Sequence, residues 1–133
     1  MWRGLIKSML RYIWELPQNF LGLLVILFSR AVYDQNYESS KVYHTSKVFG
    51  VSLGMYIIVY ALVDEETVLH EYGHSIQSLY LGPLYLVIIG IPSFTMNLLT
   101  RMKVLRADRY YKRWPENWAD ELGGVKRVHT LNS

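Results

Sequence analysis

The chain contains no cysteine, which excludes disulfides and thiolate metal sites and leaves the compartment open. Histidine is also scarce, at four positions: His44, His70, His74 and His129. Acidic residues number 11 against 14 basic ones, a net charge of +3 that is modest for a nucleic-acid binder. The densest basic run, Arg101 to Arg113, is interrupted by Asp108 and carries no nucleic-acid motif. Long uninterrupted apolar runs are missing as well. Phe20 to Phe28 is short, and Leu81 to Leu99 approaches the roughly 20 residues a bilayer requires but contains Pro83, Gly90 and Pro92. Those breakers predict a re-entrant or interfacial hairpin, or a buried core element, over 81–99, returning the chain to the side it came from. No internal repeat, low-complexity tract or long linker divides the 133 residues, which suit one core.

Apolar residues are abundant instead, at 51%, with 14% aromatic. Arg3, Lys7 and Arg11 recur at i+4 among Leu5, Ile6, Leu10, Ile13 and Trp14, a pattern suited to a helix lying on an anionic membrane surface. Residues 1–33 are therefore expected to associate with a membrane, and 34–133 to form the folded domain. Glu15, Pro17, Gln18 and Asn19 ahead of the apolar run argue against a signal peptide, although Ser29-Arg30-Ala31 is similar to a cleavage site.

The most specific pattern is His70-Glu71-Tyr72-Gly73-His74. At about 100° per residue, His70, His74 and Gln77 share one narrow arc of a helix, flanked by Glu71 and Ser78. Val68, Leu69, Tyr72, Ile76, Leu79 and Tyr80 occupy the other arc, which predicts an apolar back and a polar, metal-competent front. Asp64 can cap the start, Glu65 and Glu66 put negative charge in the first turn, and Gly82-Pro83 stop it, giving a helix over about 65–80. Imidazoles four apart can both reach one Zn²⁺ at about 2.0–2.1 Å. A carboxylate one position round can touch the metal's water without binding the metal, which makes Glu71 the candidate catalytic base.

Hydrolytic zinc takes three protein ligands and keeps one position open. The third is expected from Trp114 to Gly124, read as a two-turn helix with Pro115 at its first position and Gly123 just past its last. Glu116 and Asp120 share a face there. Glu116 could complete a His₂Glu set while Asp120 accepts the second N–H of a ligand histidine; Asp120 or Glu121 as the ligand remains an alternative.

HEYGH followed by a Glu-x-x-x-Asp helix resembles the gluzincin branch of the zinc metallopeptidases, the thermolysin-like clan. The resemblance implies His70, His74 and Glu116 as zinc ligands, Glu71 as general base and Asp120 as the support of a histidine. More narrowly, His70 to Ser78 and Leu81-Gly82-Pro83-Leu84-Tyr85 are similar to small bacterial membrane-associated metallopeptidase-like proteins and to peptidase modules of bacterial toxins, over residues 48–124. The stretch between His74 and Glu116 is longer and more apolar than in compact gluzincins. Tyr110, Tyr111 and His129 are candidates for the residue that stabilises the transition state.

Ahead of the helix, Gly50 to Ala61 alternates, with Val51, Leu53, Met55, Ile57 and Val59 on one face and Ser52, Gly54, Tyr56, Ile58 and Tyr60 on the other. This predicts one strand, paired with Lys41 to Phe49. By resemblance to gluzincins, Ser52 to Tyr56 would be an edge that binds extended peptide.

The expectation is an α+β fold: a minimal zincin-like domain with a short β-sheet or hairpin, the HEYGH helix and a short glutamate helix, plus apolar N-terminal and central helical segments. Its function would be Zn²⁺-dependent hydrolysis of peptide or protein substrates at a membrane surface. The alternatives are a catalytically silent zinc-binding membrane module, or a membrane protein whose motif is fortuitous.

Overall fold

Tyr56–Tyr60, with the sequence YIIVY, forms an inner strand, where β-branched and aromatic side chains suit a surface covered on both faces. The computed structural model describes residues 2–47 and 49–125. Its sheet comprises β1 (Val32–Tyr37), β2 (Ser40–Thr45), β3 (Gly50–Leu53) and β4 (Tyr56–Tyr60), laid side by side in the order β1-β2-β4-β3. The pairs β1–β2 and β3–β4 are antiparallel, whereas β2 and β4 are parallel, from Lys41 opposite Tyr56 to Thr45 opposite Tyr60.

The single strand expected over 50–61 is therefore a hairpin. Gly54 has φ +68°, a conformation open to glycine, and turns the chain there. The turn changes which residues share a face. Val51 stands opposite Ile58, Leu53 opposite Tyr56 and Ser52 opposite Ile57, so Val51 and Leu53 leave the face of Ile57 and Val59. Of the expected peptide-binding stretch, only Ser52 and Leu53 lie on edge strand β3, and Tyr56 belongs to β4.

Helices cover both faces of β4. On one side the fully buried Val42, Ile57 and Val59 pack with Val68 and Tyr72 of α3 (Glu65–Leu81). On the other, Leu53 and Tyr56 meet Gly22 of α2 (Leu16–Ser29). Helix α1 (Trp2–Trp14) buries no residue, and α2 buries only Gln18, Asn19, Gly22 and Ser29. Arg11, expected in the outward basic row with Arg3 and Lys7, turns inward to pair with Glu15. The boundary expected near residue 33 coincides with the start of the sheet, but α2 already packs against it.

The hairpin expected over 81–99 is not formed. A short 3₁₀ turn, Gly82–Leu84, redirects the chain, and Leu86–Gly90 then runs as a π-helical turn into α4 (Ile91–Arg101). Pro92 lacks the N–H that an α-helix would donate to Ile88, and the wider turn takes up the defect without a break. Among the described residues no single helix is long and apolar enough to cross a membrane; α1 and α2 meet at 87°. The last element among the described residues is α5 (Glu116–Gly123), packed along α3.

Candidate metal centre

Helix α3 starts as its sequence dictates: Asp64 accepts from the Thr67 N–H at 3.0 Å, and Glu65 and Glu66 follow. Its amphipathicity runs opposite to the usual sense. The buried arc is the polar one, comprising His70, Glu71, His74, Ser75, Gln77 and Ser78, while Leu79 and Tyr80 are exposed. Burying so many polar groups requires internal partners, and α5 and the N-terminal helices supply them.

Helix α5 approaches α3 as closely as backbones permit. A Cβ on Gly73 would stand 1.8 Å from the Ala119 carbonyl oxygen, and one on Gly123 would stand 2.0 Å from that of Leu69. Pro115 precedes the first turn instead of occupying it, and Gly124, not Gly123, takes the left-handed cap at φ 75°. This contact brings Glu116 and Asp120 to the histidines.

One oxygen of the fully buried Glu116 lies 2.7 Å from His70 Nε2 and 2.8 Å from His74 Nε2. The other ring nitrogens are held from behind, His70 Nδ1 at 2.7 Å from Asp120 Oδ1 and His74 Nδ1 at 2.7 Å from Gln77 Oε1. Gln77 also donates to the Pro115 carbonyl at 3.2 Å, which fixes which end of its amide faces His74. The second oxygen of Glu116 accepts from the Ser93 hydroxyl on α4. Sequence reasoning gave no role to Gln77 or Ser93. Gln77 was on the right arc, whereas Ser93 had no signal.

These contacts fix the charges. Burial pulls His70 down, but hydrogen bonds to Asp120 and Glu116 outweigh it and raise its pKa from 6.5 to about 9. Burial likewise opposes the upward shift of His74, which its bond to Glu116 drives. Against its own burial, Glu116 is held well below the carboxylate range by the two histidines. Burial pushes Glu71 up, the direction that suits a proton acceptor near neutrality.

His70, His74 and Glu116 are all buried, and their donor atoms lie within 4.8 Å of one another. Donors of a tetrahedral zinc lie about 3.3 Å apart, so a small spreading of this cluster would fit the ion. Two imidazoles and a carboxylate, with both rear nitrogens oriented, form a borderline donor set suited to zinc.

Of the cluster, His74 lines a cleft of about 740 Å³ together with Glu71, Ser93 and Tyr110, and β3, α2 and α4 form the rest of its wall. Gly50 lies against Glu71, since a Cβ there would stand 3.2 Å from Glu71 Oε1. Phe49 O accepts from Tyr60 N, so strand alternation turns the N–H and C=O of Gly50 and Ser52 outward. The Ser52 carbonyl is taken by the Tyr85 hydroxyl at 2.9 Å, leaving Gly50 as the edge position beside Glu71. Tyr110 reaches the cleft, Tyr111 packs edge-on against His70 at 4.9 Å between ring centres, and His129 lies outside the described residues.

No protein-family model, curated protein or solved structure matches this chain.

Proposed function

We propose that the protein is a zinc-dependent metallopeptidase of gluzincin type, acting at a membrane surface. One observation carries this reading: three buried donors from α3 and α5 converge, and one of them, His74, lines a cleft together with Glu71. A zinc ion held by His70, His74 and Glu116 would supply Lewis acidity, polarising the scissile carbonyl and acidifying water. Glu71 takes the attacking water's proton and returns it to the leaving amine; its raised pKa favours the transfer. Asp120 and Gln77 hold the imidazoles so that both Nε2 atoms face Glu116. Gly50 offers edge backbone to an extended substrate. Tyr110 is the group best placed to stabilise the developing oxyanion, because it lines the cleft with Glu71 and His74.

A second reading is a catalytically silent module in which the metal only staples α3 to α5. The cluster's position on that contact favours it. Elemental analysis of wild type, His74→Ala and Glu116→Ala, with hydrolysis of a quenched peptide library by wild type and Glu71→Gln, separates the two. Near-stoichiometric zinc in wild type, its loss in the ligand variants and loss of turnover alone in Glu71→Gln are expected. Undiminished hydrolysis by Glu71→Gln would sink the mechanism. Zinc without any turnover would select the staple, and a folded wild type that takes up no zinc would refute both.

A further inference from the structure

Glu71, His74 and a few other polar groups line the cleft, but most of its lining is apolar. Its upper wall is the apolar rod leading into and forming α4, and the residues there are at once cleft-lining and strongly exposed: Val87 is 63%, Ile91 60% and Phe94 70% accessible. Facing them, Leu21 and Val25 of α2 also line the cleft. The mouth of the metal site therefore opens between two helices that carry apolar side chains on their outer surfaces. On α2 this surface continues through Phe20, Leu23, Leu27 and Phe28. An apolar face of this extent on a small chain marks a contact with something apolar.

Cations stand at the ends of both helices. Exposed Arg30 closes α2, and Lys47 donates to the Phe28 carbonyl at 3.5 Å. Arg101 ends α4 at the cleft rim, followed by exposed Lys103. Apolar side chains bordered by Arg and Lys match the boundary between acyl chains and anionic headgroups. Neither helix is long enough to cross, so each can lie in that boundary.

Resting on the peptidase reading above, we infer that the substrate is an apolar peptide segment anchored in an anionic bilayer. It enters between α2 and α4 in extended form, seats an apolar side chain between Phe94 and Leu21, and lays its backbone beside Gly50 above the metal cluster. A segment drawn from lipid already lacks hydration on its side chains, so the apolar mouth admits it without the desolvation that a polar, water-borne peptide would face there.

The test uses full-length Glu71→Gln, which binds without cutting, on vesicles of phosphatidylcholine and phosphatidylglycerol. These carry a leucine-rich peptide with a photo-activatable leucine analogue, and crosslinks are mapped by mass spectrometry. Crosslinks on Val87, Ile91, Phe94 and β3 are expected, about tenfold weaker in a Phe94→Asp background and retained in Phe94→Leu, as loss of one apolar contact predicts. Zinc content in the Phe94 variants should be unchanged, which excludes misfolding. Crosslinks confined to the outer faces of α1 and α2, or found between two copies of this chain, would overturn the inference. Wild type that seats the peptide without cutting it would instead refute the peptidase reading. Wild type that cuts soluble peptides while the Glu71→Gln cleft stays unlabelled would refute only the lipid-side substrate.

Discussion

Gly73 lies directly beneath the backbone carbonyl of Ala119, with 1.8 Å between that oxygen and the place a Cβ would occupy. The glycine inside the HEYGH run is thus the position at which α5 is allowed close enough to deliver Glu116 and Asp120. Helix propensity alone would make Gly73→Ala stabilising by up to about 1 kcal/mol. The clash is with backbone and cannot be relieved by a rotamer, so a loss of about 1–3 kcal/mol or more is expected in urea denaturation, with weakened zinc uptake. A stabilised Gly73→Ala chain with full zinc would disprove the close packing.

The His70 proton sets a pH dependence for the metal-free chain. Its folded pKa of about 9 lies above the ordinary 6.5, so the folded state holds this proton more tightly. The resulting stability is fully present below pH 6.5 and is lost as pH rises through about 9. Its size is on the order of a few kcal/mol. Zinc requires the same nitrogen, so zinc affinity should rise across that window while metal-free stability falls. Denaturation in chelator and zinc titration, each at a series of pH values, check the two slopes. Parallel trends would contradict the account.

The α+β class is legible in the sequence, and so is the grouping of the polar residues on α3 and α5, whereas the path of the chain between them is not. His70, His74, Glu116 and Asp120 could be paired because helical spacing fixes which side chains share a face, and the structure brings them together. The sequence does not show where the edge strand ends, because alternation persists through Gly54 whether the chain continues or turns, and only φ at that residue decides between them. Pro92 reads as a break in the sequence, whereas a π turn absorbs it. The polar front of α3 is buried because α5, α2 and Ser93 of α4 provide partners that no local pattern reveals.

Gln77 holds His74 through Oε1 and is itself anchored to Pro115. Gln77→Leu removes the acceptor that keeps Nε2 directed at Glu116, and zinc affinity should fall about 10–100-fold. Gln77→Glu keeps an acceptor and should recover most of that loss. Competition with a chromophoric chelator reads both. Equal weakening in the two variants would mean that Gln77 only fills space.

Behind the metal helix, Glu15 is fully buried and accepts from Arg11 and from the Ser78 hydroxyl, while Arg11 also donates to Ser75 at 2.9 Å. The N-terminal helices are thus tied to the same α3 that carries the metal ligands. Removing one member of a buried pair strands the other, which costs about 3–5 kcal/mol, whereas replacing both with apolar groups of similar size costs far less. Glu15→Leu and Arg11→Met should therefore each destabilise the chain strongly in urea, and the two together should recover a large part of the loss. The signature is the positive coupling in a double-mutant cycle. If both single variants changed stability by less than about 0.5 kcal/mol, the range of an ordinary surface substitution, the pair would not hold α1 and α2 to the metal helix.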